Sequence, residues 1–157
     1  MAGRRIVIGI GNPDRGDDGV GRLVAHSLRN RLPAGVEVVE ADGEATALLA
    51  HMDGVEAAYL VDACTSGAAP GTVRRFDAAA APLPQAAFGL STHGFGLAEA
   101  IELARALGQL PQHCVVYAIE GAGFETGAPV SDAVAEAVPR VVERLCGEIE
   151  QPADVGS

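Results

Sequence analysis

Positive charge is scarce in this chain. Eleven Lys and Arg stand against 21 Asp and Glu in 157 residues, a formal net charge of −10. The basic residues are scattered, and only Arg4-Arg5 and Arg74-Arg75 are adjacent. Binding a phosphate backbone needs clustered Lys and Arg, so this balance argues against nucleic acid as a partner. Cysteine is also sparse: Cys64, Cys114 and Cys146 are widely spaced, odd in number and form no CxxC. Neither a disulfide framework nor a cysteine zinc site is indicated, and a reduced, cytoplasmic setting is expected. Cys114 lies in an apolar run and Cys146 in a helical pattern, so both read as small buried hydrophobes. The apolar run after Arg4-Arg5 is cut by a polar loop at Asn12–Gly16, too early for a signal-peptide core. No stretch approaches the roughly 20 apolar residues of a membrane span, so no membrane partner is expected. There is no Walker A sequence, no GxSxG elbow, no internal repeat and no second domain in view.

What remains is a chain with 48% hydrophobic and 20% charged residues, long enough to bury a core. Residues 1–150 are expected to form a single α/β domain, with 151–157 a frayed tail. The chain is organised around Ile6–Arg22, IVIGIGNPDRGDDGVGR. A β-branched run leads into Gly9-Ile10-Gly11, a polar loop, the paired acids Asp17-Asp18 and a helix opening. The glycines permit positive φ and close packing. In open α/β sheets, ligands bind at the carboxyl ends of strands.

Periodicity predicts strands at Arg4–Ile10, Val36–Glu40, Ala57–Val61, Thr72–Phe76 and His113–Ile119. Helices are expected at Asp18–Leu32, Glu44–His51, Phe95–Leu107 and from Ser131 to about Glu148. The first carries an apolar face of Val20, Leu23, Val24, Leu28 and Leu32. Pro139 is expected to kink or split the last. The fourth strand follows the third too closely for a helical crossover, so it is expected to be antiparallel. The alternation argues a mostly parallel sheet with helices on both faces and one antiparallel strand. Asp77–Gly89, rich in Ala and Pro, reads as a surface loop long enough for a partner-contacting role.

Three ionisable residues occupy equivalent positions: Asp18 after the first strand, Asp62 at the end of the third and His93 before the third helix. Two carboxylates and an imidazole make an N/O donor set suited to Zn, Ni or another first-row divalent ion, with positions left for water or substrate. Each has a plainer role open to it. Asp17 or Asp18 could cap the first helix. Asp62 could cap a loop, and His93 could be satisfied by backbone. Asp42 either orients a ligand indirectly or caps the second helix. His26, His51 and His113 read as structural. Gly9-Ile10-Gly11 opens like GxGxxG, but Asp14 holds the third glycine's place and acids crowd the position a pyrophosphate would need, so a dinucleotide site is rejected. Cys64 lacks a visible activating base.

The combination resembles the maturation endopeptidases of nickel–iron hydrogenases. The matching stretches are GIGNPDRGDDGVG (Gly9–Gly21), Asp42-Gly43, LVDA (Leu60–Ala63), STHGFGL (Ser91–Leu97) and IEGAGFETGAPVSDAVAEAVP (Ile119–Pro139). The resemblance implies a three-layer α/β/α sandwich around a five-stranded sheet. It implies a cytoplasmic aspartic-type endopeptidase, a monomer, that removes a C-terminal peptide from the hydrogenase large-subunit precursor once nickel is inserted. Asp18, Asp62 and His93 match the family's metal-reaching side chains. The metal is nickel carried by the precursor, or another divalent ion such as Zn held by the protease. An ion would polarise the scissile carbonyl and activate water, or a carboxylate would act as general base. A non-catalytic maturation factor and a different metal-dependent peptidase are the alternatives. Relatives often read Asp-Gly-Gly-Thr after the second strand, where this chain has Asp42-Gly43-Glu44-Ala45-Thr46. That departure bears on which large subunit is preferred.

Overall fold

A computed structural model of the chain describes residues 3–84 and 96–150. The β-branched run becomes β1 (Arg5–Ile10), buried along its length after Arg5. A 3-10 turn at Gly16–Gly19 leads into α1 (Val20–Leu28). Then come β2 (Val36–Ala41), α2 (Ala45–Met52), β3 (Ala57–Cys64), β4 (Val73–Asp77), α3 (Leu97–Ala106), β5 (His113–Glu120) and α4 (Asp132–Glu150). The strands form one sheet in the order β2-β1-β3-β5-β4. The first four run parallel; β4 is antiparallel as expected, but it pairs with β5 at the sheet edge rather than with β3.

The helices cover both faces. Val20, Val24 and Leu28 of α1 and Val134, Val141, Val142 and Leu145 of α4 pack on Val7, Tyr59, Val61 and Tyr117. Leu48 and Met52 of α2 and Leu97, Ala100 and Ile101 of α3 pack on Ile6, Ile8, Leu60 and Val116. The result is the expected three-layer α/β/α sandwich. Strand residues alternate between the two cores because successive side chains point to opposite faces.

Four local expectations change. The first helix begins later and ends earlier, at Leu28, because Asn30 adopts φ 68° and turns the chain. Leu23, placed on its apolar face, is 42% exposed. α4 runs unbroken through Pro139. Pro139 and Ala135, whose carbonyl loses its i+4 donor, are both exposed, so water can satisfy the orphaned acceptor. Cys146 is only half-buried, unlike Cys114. Of the Asp77–Gly89 loop, residues 77–84 are described. Asp77 Oδ1 accepts from the Ala79 and Ala80 amides, and Ala78 and Leu83 are buried in the core under α3. Asp77, Ala80, Ala81, Pro82 and Pro84 are exposed, so this half is the expected surface loop, tied down at Ala78 and Leu83.

Candidate active site at the strand termini

The parallel strands bring their carboxyl ends to one edge, and they do not end together. β1 pairs with β3 through Gly9↔Val61, whereas β3 continues beside β5 through Asp62↔Ala118, Ala63↔Ile119 and Cys64↔Glu120. Asp62 therefore lies just where β1 parts from β3, while β1 stays paired with β2 through Ile10↔Ala41. The 3-10 turn packs against β3 at this step. By strand alternation Asp62 shares a face with Leu60 and Cys64, the face that α2 and α3 cover.

Glycines make this approach possible. A Cβ on Gly21 would collide with the carbonyl oxygens of Val61 and Ile10. Gly11, at φ 145°, passes so close to the Asp18 carbonyl that no side chain fits. Arg22 adds a tie: its Nη1 donates to the Gly11 carbonyl at 3.2 Å and its Nε to Glu40 Oε1 at 3.3 Å.

Asp18 caps no helix. Its Oδ2 accepts the Asn12 amide at 2.9 Å, and neither the 3-10 turn nor α1 has a side-chain cap. Asp62 Oδ1 accepts the Ala63 amide at 2.8 Å. Among the described residues these are the hydrogen bonds of the two carboxylates, so both keep acceptor capacity for a ligand. Burial pushes the Asp62 carboxyl well above the usual carboxylate range, and the negative charge of Asp18 pushes it further, against the Ala63 amide. A pair of acids held this way is one that a cation would relieve, and oxygen donors suit a divalent ion. His93 lies outside the described residues. Within them, no group of three His, Cys, Asp or Glu is arranged to hold a metal.

Asp42 does not cap α2. Its Oδ1 accepts the Glu44 amide in a local turn, while Glu44 caps α2 by accepting from the Thr46 and Ala47 amides. Burial and the neighbouring Glu120 push the Cys64 thiol up to about 12, which disfavours the nucleophilic thiolate.

Two further acids, Asp17 and Glu120, organise the surrounding loops. Asp17 is fully buried and bridges to the loop between β5 and α4. Its Oδ2 accepts the Ala122 and Gly123 amides and the Ser131 hydroxyl, and its Oδ1 accepts the Ser131 amide. Burial pushes this carboxyl up, but those hydrogen bonds outweigh it and hold it below the ordinary value. Glu120, 3% exposed, accepts from the Ser66 hydroxyl at 2.6 Å, the Ser66 and Gly67 amides and the Cys64 thiol. Its pKa is likewise lowered, burial being outweighed by the Ser66 and Gly67 donors. Glu120 had a visible signal, an acid closing an apolar strand just as Asp62 does.

This geometry can be set beside known proteins. The family model described as hydrogenase maturation protease (HycI) matches residues 22–148. The chain belongs to the hydrogenase maturation protease family. It is 29% identical over 142 residues to the hydrogenase expression/formation protein HoxM of Cupriavidus necator, covering 88% of this chain and 70% of HoxM. With HupM of Azotobacter chroococcum it is 27% identical over 122 residues, 76% of this chain and 58% of HupM. Among solved structures, the hydrogenase maturating endopeptidase HybD from E. coli superposes with a TM-score of 0.77 at 23% identity, covering 94% of this chain and 92% of that one. The [NiFe] hydrogenase maturation protease HycI from Thermococcus kodakarensis KOD1 gives 0.72 at 23% identity, with 94% and 93% covered. At such identities the structural likeness speaks for the fold of this maturation protease family member, and the family match for its peptidase class.

Proposed function

We propose that this protein removes a C-terminal peptide from the nickel-loaded precursor of a hydrogenase large subunit, with Asp18, Asp62 and His93 reaching the nickel that the precursor carries. The observation that supports this most directly is the pairing of Asp18 and Asp62 at the step where β1 leaves β3, in a chain of the maturation protease family. A divalent ion bound there would polarise a scissile carbonyl and acidify a water. The chain's own contribution is an oxygen-donor pair held by backbone amides. The raised proton affinity of Asp62 brings a carboxylate toward the range in which it accepts a proton from attacking water at working pH. No acyl-enzyme is needed, in keeping with a Cys64 thiol pushed up to about 12. The same donors would suit a resident ion such as zinc. The three cysteines are all free, which fits action in a reducing cytoplasm.

The test is mass spectrometry of a large-subunit precursor incubated with the protein, with and without nickel loaded. The expected result is loss of a C-terminal peptide from the nickel-loaded form alone, abolished in Asp62→Asn and His93→Ala with far-UV circular dichroism unchanged. Stoichiometric binding with no loss of mass would replace this reading with that of a non-catalytic maturation factor.

A further inference from the structure

We propose that Asp17 is a positioning residue: it makes the loop between β5 and α4 the external support that holds the neighbouring Asp18 carboxylate in place. This rests on the reading of Asp18 as a site residue. Asp17 and Asp18 lie in a single 3-10 turn at the start of α1, and no side chain caps that turn. What stiffens it comes from 105 to 114 residues away in sequence. The four donors on Asp17 are Ala122 N at 2.7 Å, Gly123 N at 3.1 Å, Ser131 N at 2.7 Å and Ser131 Oγ at 3.0 Å.

Backbone bonds join the same two segments in both directions. Asp17 N donates to Gly123 O at 2.8 Å, Gly16 N to Ala128 O at 3.1 Å and Gly127 N to Asp14 O at 2.7 Å. The contact is close-packed as well as polar. A Cβ on Gly121 would stand 3.1 Å from the Asp17 Cβ, and one on Gly16 would stand 2.6 Å from the Gly123 carbonyl oxygen.

Asp18, by contrast, is held among the described residues by local bonds: its amide donates to Arg15 O at 3.1 Å and its Oδ2 accepts the Asn12 amide. Whatever loosens the turn from the distal loop therefore loosens Asp18. The distal loop is also the exposed one, with Ala122, Gly123, Glu125, Thr126 and Gly127 all open to solvent. A substrate pressing on it acts on the support of Asp18. This is how outlying hydrogen bonds tune a ligand set, with losses of roughly 10- to 100-fold when they are removed.

The Asn12 amide, which donates to Asp18, is the natural reporter. The experiment compares Asp17→Asn with Glu148→Gln, which removes a comparably bonded carboxylate on α4, away from this edge and held by Arg75 and Tyr117. Amide hydrogen exchange, affinity for the nickel-loaded precursor and single-turnover cleavage are read at a temperature where each variant is folded. Asp17→Asn is expected to speed Asn12 exchange about tenfold while the Val7 and Ile8 amides stay protected. It should slow cleavage roughly 10- to 100-fold with affinity unchanged. Glu148→Gln should do neither. Should Asp17→Asn fail to fold, Ser131→Ala, which removes one donor, carries the test with a smaller change in the same direction. Unchanged Asn12 exchange, or both variants slowing cleavage alike, overturns the proposal. A wild-type protein that cleaves no precursor overturns the proposed function instead, and the Asn12 readout still decides the role of Asp17.

Discussion

The negative charge of Asp18 raises the proton affinity of Asp62 across the step where β1 leaves β3. The two acids are 44 positions apart in sequence, and their meeting depends on a glycine-lined approach of α1 to the sheet. A partly buried carboxyl beside a like charge is a poor choice for stability and a reasonable one for binding a cation or moving a proton.

Asp62→Asn should therefore stabilise the free protein at neutral pH. The folded-state pKa lies above the ordinary 3.8, so the folded protein binds more protons than the unfolded chain between the two values. Stability then falls as pH rises through that window, and the penalty is fully present above it. The amide carries no charge and escapes the penalty. Thermal unfolding should show a higher Tm for the variant at pH 7, about 2–4 °C for each kcal/mol relieved. The gap should close below about pH 3, where both forms are neutral. A gap that persists in acid would mean the gain comes from packing rather than from charge.

Two helical glycines should respond oppositely to alanine. Gly147 in α4 has nothing within 4 Å of an added Cβ, so Gly147→Ala should gain about 1 kcal/mol from helix propensity. Gly21 in α1 would drive its Cβ into backbone oxygens of Ile10 and Val61, neither of which can rotate away. Gly21→Ala should lose about 3 kcal/mol or more, with the 3-10 turn displaced. Urea unfolding of both variants checks the pair, and equal signs would contradict the close packing described above.

Thiol chemistry should be silent in the native protein. Burial pushes Cys64 and Cys114 up to about 12, aided by the charges of Glu120 and Asp77 respectively. At pH 8 about one such thiol in ten thousand is ionised. Iodoacetamide should reach the half-buried Cys146 first and leave precursor cleavage intact, with Cys64 and Cys114 modified only after denaturation. Rapid loss of activity with Cys64 labelled would return that residue to the mechanism.

Much of this architecture follows from local pattern. Short strand-like runs set between turn segments marked all five strands, and a connection too short for a helix marked β4 as antiparallel. Asp18 and Asp62 could be brought to one edge on paper because parallel strands must end on the same side. The motif resemblance supplied the family. Local pattern could not say which of two adjacent acids faces the site. A helix cap was the cheapest local use for one of them, and neither serves as one. Asp17 instead finds its donors more than 100 residues downstream, and Glu120 finds its own 53 to 56 residues upstream. α2 is capped by Glu44 rather than Asp42 because the helix begins at Ala45, directly after Glu44. Sequence determines what repeats along the chain: the period of burial, the glycines where backbone must turn, the acids at strand ends. The destination of each buried charge was decided by tertiary structure, because a carboxylate taken out of water is held by whichever donors the fold happens to deliver, and those are rarely its neighbours in sequence.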